Sequence, residues 1–127
     1  MANARDRKPK ITSNQVSDEE LIKRFQEGDL SAYDVIVNRY KDQLLNFAYR
    51  FLGNTEEAQD VVQETFLRLF RNKHAYRQIA KFSTWIYTIA GNLAKTELRK
   101  RKRRKIVSLS DMGFEDKEYD LEDEGAD

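Results

Sequence analysis

Apolar residues recur at spacings of three and four along most of this chain, and that spacing restricts the fold to packed amphipathic helices. The longest such stretch has apolar side chains at Tyr33, Ile36, Val37, Tyr40, Leu44, Phe47, Ala48 and Phe51. One proline and five glycines among 127 residues leave few positions that break a helix. We therefore predict an all-α bundle of about four helices over residues 17–105, between a disordered basic segment, 1–16, and a flexible acidic tail, 106–127.

Capping residues predict where these helices begin and end. Ser17 with Glu20 three residues later fits a capping box, in which side chain and backbone satisfy each other's hydrogen bonds. Residues 72–82 lose the periodicity and indicate a loop before the last helix. The predicted helix starts are Ser17, Asp29, Asn54 or Thr55, and Ser83 or Thr84, and the predicted stops are Gly28 and Gly53.

Charge is strongly segregated, although the formal net charge is only +1. Residues 99–105 read RKRKRRK, whereas residues 106–127 carry nine acidic side chains and one basic one. Seven consecutive cations repel one another, which favours an anionic partner such as a polyphosphate backbone. The alternative is a solvated helix end that the acidic tail neutralises. A membrane surface is disfavoured because no large apolar helix face accompanies the run.

Several classes of protein are excluded or disfavoured by composition. The absence of cysteine excludes disulfides, thiolate metal sites and a cysteine nucleophile, and the single histidine cannot build a multi-histidine site. No apolar stretch approaches the roughly 18 residues that a membrane span needs, so no membrane insertion is expected. With no phosphate loop or nucleophile motif present, we expect no enzymatic activity, no metal and no cofactor.

One face of the predicted third helix is a candidate docking surface. Its members share one side of the helix at spacings of three and four: Asp60, Gln63, Glu64 and Leu67. A compact acidic and amide patch with one exposed leucine suits a basic partner. An ordinary solvated helix face is the alternative, and the pattern favours it.

The segment from 72 to 95 is a candidate surface for single-stranded nucleic acid. It interleaves aromatic and basic side chains, and aromatic rings stack on unpaired bases while cations hold the backbone. Trp85, Ile89 and Asn92 share one helical side, and an asparagine amide can read a base edge. Alternatively Trp85 and Ile89 belong to the core, which the pattern favours for Trp85, and Asn92 is merely solvated.

Two stretches carry a resemblance to a known family: NTEEAQDVVQETFLRLFRN at 54–72 and FSTWIYTIAGNLAKTELRKRKR at 82–103. Together with SDEELIKRFQEGDLSAYDVIVNRY at 17–40, they resemble conserved region 2 of bacterial RNA polymerase sigma factors of the extracytoplasmic-function (ECF) type. The resemblance implies a cytoplasmic transcription initiation factor that binds RNA polymerase core, at the clamp coiled coil of the largest subunit. It also implies recognition and melting of the promoter −10 element, with a non-template-strand base flipped into a pocket.

Matched by position, the resemblance assigns roles to individual residues. Polymerase docking falls to the face formed by Asp60, Gln63, Glu64 and Leu67. The base pocket comprises Asn72, Lys73, Tyr76, Ile89 and Asn92. The DNA backbone would be met by Arg77, Lys81, Lys95, Arg99, Lys100, Arg101 and Arg103. Trp85 is a structural signature of the family that holds the fourth helix against the bundle.

Two departures and two rival functions accompany the resemblance. Relatives commonly have a phenylalanine-arginine-glycine sequence where this chain has Tyr76-Arg77-Gln78, and Ile79 falls where small or polar residues are usual. The family's second helical domain, with its helix-turn-helix for the −35 element, has no counterpart here, and truncation and natural absence both stay open. The rivals are a non-specific single-strand-binding module and an interaction protein held by an anti-sigma factor, a partner that the resemblance also implies.

Overall fold

Four helices pack around a shared core in the computed structural model, which describes residues 16–113. They are α1 (Asp18–Gln26), α2 (Leu30–Leu52), α3 (Thr55–Arg71) and α4 (Phe82–Asp111), with a short 3₁₀ turn at Lys73–Ala75. No strand occurs among the described residues, so the predicted all-α bundle is confirmed. Residues 1–15 and 114–127, for which disorder and a flexible tail are predicted, lie outside this range, whereas residues 106–111 of the predicted tail are helical. Val16, at the predicted boundary, packs against the core.

Side-chain caps begin the first three helices where the sequence predicts them. The Ser17 hydroxyl accepts from the Glu20 backbone N–H at 3.0 Å, and the Asp29 carboxylate accepts from that of Ser31 at 3.0 Å. Asn54, rather than Thr55, caps α3. Gly53 ends α2 with a φ of +63°, a left-handed conformation that glycine adopts without strain.

The N-cap predicted for α4 was wrong. Neither Ser83 nor Thr84 caps this helix; it begins at Phe82, whose backbone N–H donates to a Glu19 carboxylate oxygen at 2.9 Å. A residue distant in sequence therefore supplies the cap. At the other end the helix continues to Asp111, past the expected boundary at 105. Lysine and arginine are good helix formers, and after Gly91 no further glycine occurs before Gly113.

The core consists of two apolar clusters. The larger one joins all four helices and the loop between α3 and α4, through residues that include Phe25, Ile36, Leu69, Tyr76 and Ile86. The smaller cluster lies where α2 meets α3, and it comprises Ala48, Leu52, Ala58 and Val61 with partly buried neighbours from α4. The loop is thus part of the main core and not an appendage to it.

A polar contact at the edge of this core joins α1 to α2. The Asp18 carboxylate accepts from the Arg39 guanidinium at 2.7 Å and from the Tyr40 hydroxyl at 2.5 Å. Burial, followed by the hydrogen bond to Asp18, raises the pKa of Tyr40 well above that of an ordinary tyrosine. The neutral phenol is therefore the form that the fold stabilises.

Replacing Tyr40→Phe tests this contact. We expect a loss of about 1–2 kcal/mol in the free energy of unfolding at neutral pH, because a hydrogen bond to a charged group disappears. A raised pKa in the folded state gives stability that is present below the unfolded pKa of about 10 and is lost as pH rises beyond it. The free energy of unfolding, measured with urea between about pH 9 and 11, is therefore expected to fall less steeply with rising pH for the variant than for the parent protein. Equal slopes for the two proteins would contradict the assignment.

Candidate functional site

The predicted docking face on α3 is open to solvent. Asp60 and Gln63 are exposed, and Leu67 exposes 49% of its surface. Glu64 is half-buried and accepts from Arg68 at 3.2 Å and from Arg71 at 3.1 Å. The hydrogen bond from Arg68, followed by the contact with Arg71, lowers the pKa of Glu64. The patch is acidic at one end and partly neutralised at the other.

A groove of about 350 Å³ connects this face with α4. It is lined by Asp60, Val61, Glu64, Arg68, Leu93, Thr96, Glu97 and Lys100. Its walls carry both signs of charge beside the apolar Val61 and Leu93. The acidic end of the α3 face and the start of the basic run on α4 therefore border one depression.

Two residues expected in a base pocket are turned into the protein. The Lys73 ammonium donates to the Phe25 carbonyl at 3.2 Å and lies 4.6 Å from the centre of the Phe25 ring. Tyr76 exposes only 5% of its surface, and its ring centre lies 5.7 Å from that of Phe82 and 5.2 Å from that of Trp85. In this conformation Tyr76 has no face free for stacking on a base.

The inward position of Tyr76 has a physical reason. Its ring fills the space between the loop and the first turn of α4, and its hydroxyl donates to the Ala80 carbonyl. Burial raises the pKa of Tyr76, so the hydroxyl stays a donor. A tyrosine that closes its own loop in this way contributes to the shape of the site and not to its exposed surface.

Other loop residues face solvent. Asn72 and Arg77, both expected to contact DNA, are exposed, as are His74 and Gln78. Ile79 exposes 87% of its surface, more than any other large apolar residue in residues 16–113. Sequence reasoning noted Ile79 only as a departure from the family pattern. The available signal was that Ile79 lies outside any helical stripe that could bury it.

The side of α4 that carries Trp85, Ile89 and Asn92 becomes more exposed to solvent along the helix. Trp85 and Ile89 are half-buried and Asn92 is exposed. Trp85 packs against the main core, in agreement with the structural role expected of it. Asn92 lies two helical turns from Trp85, or about 10 Å along the axis. The loop therefore meets the beginning of this face, and Asn92 lies further along it.

The basic residues differ in exposure and in their partners within the fold. Lys81, Arg99, Lys100 and Arg103 are exposed, and Lys95 is half-buried. Arg101 is also half-buried, and it has partners within the fold. Its guanidinium donates to the Leu52 carbonyl at 2.8 Å and to the Glu57 carboxylate, because this side of α4 faces the junction of α2 and α3.

Comparison with known proteins identifies the family. Residues 36–104 match the family Sigma-70 region 2. The chain belongs to the sigma-70 region 2 family. An NMR structure of the complex formed by an engineered region 2 of sigmaE with GTAAAA matches with a TM-score of 0.65 at 36% identity. That match covers 73% of this chain and 97% of the other.

Full-length relatives place this region 2 domain among ECF sigma factors. The RNA polymerase sigma-H factor of Pseudomonas aeruginosa is 40% identical over 105 residues, covering 83% of this chain and 53% of that protein. The ECF RNA polymerase sigma factor SigW of Bacillus subtilis is 44% identical over 81 residues, covering 64% of this chain and 43% of that protein. The chain thus spans about half the length of these relatives. The resemblance to ECF region 2 is confirmed.

Two further observations apply to residues 16–113. No helix in this range is long and apolar enough to cross a membrane. The same residues contain no group of three or more histidine, cysteine, aspartate or glutamate side chains arranged to hold a metal ion.

A matched pair of variants separates the two kinds of arginine in this region 2 domain. Arg101→Ala is expected to lower the free energy of unfolding by about 1–2 kcal/mol, because it removes a charged hydrogen bond to a helix-end carbonyl and an ion pair. Arg103→Ala is expected to change it by less than about 0.5 kcal/mol, since the side chain is exposed. Denaturant unfolding measures both. Equal effects would contradict the distinction.

Proposed function

We propose that this chain is the promoter-recognition domain of an ECF sigma factor, which binds RNA polymerase core and captures the single-stranded non-template strand of the −10 element. The observation that carries the proposal is the match to a region 2 structure in complex with GTAAAA. The exposed loop, the exposed end of the α4 face and the exposed cations support it. We propose no catalytic role, and the place of action is the cytoplasm.

The chemistry of base capture follows from the exposed residues. A flipped base loses a few kcal/mol of stacking and pairing, which contacts in its pocket must offset. Ile89 offers apolar contact, and the amides of Asn72 and Asn92 each offer a donor and an acceptor for a base edge. Lys73 and Tyr76 then act by shaping the loop behind the base. Since amides distinguish donors from acceptors, this arrangement favours one base over the others.

The phosphate backbone is the second partner of this surface. Arg77 and Lys81 belong to the loop, and Arg99, Lys100 and Arg103 extend along α4. Each neutralised phosphate releases condensed counterions, so these contacts add affinity that depends on salt and not on sequence. Lys95, half-buried on the same helix, can add a further contact. A non-specific single-strand-binding module would use these contacts alone, and base dependence therefore separates the two functions.

Polymerase docking is proposed for the α3 face. Asp60, Gln63 and Leu67 are exposed, and Glu64 borders them. A surface that offers acidic and amide groups around one apolar side chain is complementary to a basic helical partner, such as the clamp coiled coil of the largest subunit. An anti-sigma factor is the further partner proposed, and competition between it and polymerase core would show that the two share this surface.

Replacing Asn92→Ala tests base reading. The expected loss is about 1–3 kcal/mol for one base at one −10 position, because one specific base contact disappears. Fluorescence anisotropy measures it with short single-stranded oligonucleotides that carry each base in turn, with and without polymerase core. Asn46→Ala, the same change at an exposed position on α2, is the control and is expected to alter no base preference.

Either of two outcomes would contradict base reading by Asn92. Equal weakening for all four bases would make Asn92 a general contact. The second outcome is that the parent protein binds all four bases with equal affinity, and that this affinity depends only on the salt concentration. This result would favour a non-specific single-strand-binding module over the proposed function.

A second pair of variants tests polymerase docking. Asp60→Ala combined with Gln63→Ala is expected to weaken binding to polymerase core at least tenfold, about 1.4 kcal/mol, because both groups leave the docking face. Asp42→Ala combined with Gln43→Ala removes the same side chains from exposed positions on α2 and is the control. Binding of labelled protein to core enzyme measures both. Unchanged affinity of the α3 variant would overturn this part of the proposal.

A further inference from the structure

The loop between α3 and α4 is held by a side chain from α1. The Gln26 side-chain amide donates to the Lys73 carbonyl at 2.7 Å and to the Tyr76 carbonyl at 3.2 Å. Lys73 is the first residue of the 3₁₀ turn Lys73–Ala75, and Tyr76 directly follows that turn. One amide group therefore spans the turn, and both of its protons are used.

A second contact at the same end runs in the opposite direction. The Lys73 ammonium donates to the Phe25 carbonyl, which belongs to the last turn of α1. A cation at this position also meets the negative end of the helix dipole. Gln26 and Lys73 thus form a reciprocal pair between the end of α1 and the start of the loop.

The other end of the loop is fixed by the beginning of α1. The Glu19 carboxylate accepts from the Phe82 backbone N–H at 2.9 Å, and the Gln78 side chain donates to the Glu19 carbonyl at 3.4 Å. The first turn of α4 has no local side-chain cap, so Glu19 supplies both a hydrogen bond and a negative charge at this helix N-terminus.

The loop has few backbone hydrogen bonds of its own to resist distortion. Within it, the Ala75 N–H donates to the Asn72 carbonyl and the Ile79 N–H to the Arg77 carbonyl, both at 2.8 Å. These are two short turns and not a continuous ladder. The conformation in which Asn72, Arg77 and Ile79 face solvent therefore depends on the contacts with α1 together with the buried ring of Tyr76.

We propose that α1 sets the geometry of the base-reading loop, with Gln26 and Glu19 as positioning residues that determine base preference without touching DNA. This inference rests on the proposed function, since it assigns a cause to the base selectivity of that same site. A role in stability alone would lower the folded population without changing the ratio of affinities among bases. The ratio, and not the affinity, is therefore the decisive quantity.

Gln26→Glu is the sharpest variant, because it keeps the size of the side chain and replaces the donating amide by a carboxylate facing two carbonyls. The full chain is studied at about pH 8, where a carboxyl is ionised. We expect the ratio of affinities between the preferred base and the other three to fall about tenfold. The affinity for an oligonucleotide of unrelated sequence is expected to change less than twofold. Gln43→Glu, the same change at an exposed glutamine of α2, is the control.

Glu19 provides a test by rescue, which also serves if Gln26→Glu fails to fold. Glu19→Ala removes the acceptor for the Phe82 N–H. It is expected to lower the ratio of affinities between the preferred base and the other three severalfold. Glu19→Gln keeps an acceptor oxygen at the same distance along the side chain and is expected to restore most of the ratio. Equal ratios for Glu19→Ala, Glu19→Gln and the parent would overturn the role of Glu19. A Gln26→Glu protein that is folded and retains the parent ratio would overturn the role of Gln26.

Hydrogen–deuterium exchange of residues 72–82 in the DNA-free chain separates failure of this inference from failure of the proposed function. Exchange in this segment is expected to accelerate at least fivefold in Gln26→Glu and Glu19→Ala, and to stay at the parent rate in Gln43→Glu. Unchanged exchange would show that α1 does not hold the loop. A parent protein that binds all four bases equally would overturn base reading, and the exchange rates would still decide whether α1 controls the loop.

Discussion

Burial of one apolar seam, to which all four helices contribute, holds the functional parts of this domain together. Phe25 from α1 and Phe82 from α4 are its largest fully buried side chains. The Phe25 ring lies 5.0 Å from that of Tyr33 and 5.4 Å from that of Phe70, and Phe82 lies 5.7 Å from Tyr76. Since each buried aromatic ring excludes a large apolar area from water, these contacts fix the docking face on α3, the loop and α4 in one packed unit.

The cations of this domain perform two different tasks. Lys73 and Arg101 donate to the backbone carbonyls of Phe25 and Leu52, at or near the C-terminal ends of helices. A positive charge is stabilising there, because the helix dipole has its negative end at the C-terminus. Exposed cations such as Arg103 are free to release counterions from nucleic acid. A count of basic residues therefore overstates the surface available to a phosphate backbone, because some of the positive charge is used within the fold.

The short helix α1 has a larger role than its length suggests. Nine residues form no stable helix in isolation, so α1 depends on the core that its apolar face enters. In return its polar side chains hold both ends of the loop between α3 and α4. Loops that bind ligands are commonly presented by rigid elements, and here that support comes from a helix distant in sequence. Under the proposed function, this arrangement couples packing to base recognition.

Local patterns of residues are enough to predict the helices. Periodic apolar residues indicate them, and the caps Ser17, Asp29 and Asn54 indicate where three of them start, because capping and amphipathicity are interactions between near neighbours in the chain. The sequence also indicated the family, and the exposure of the α3 face followed from its position opposite the apolar stripe. Tertiary contacts alone settle the burial of Tyr76, the partners of Arg101 within the fold and the capping of α4 by Glu19. Those outcomes depend on contacts between residues far apart in sequence, and a local pattern of residue types does not specify which distant partner a side chain will reach.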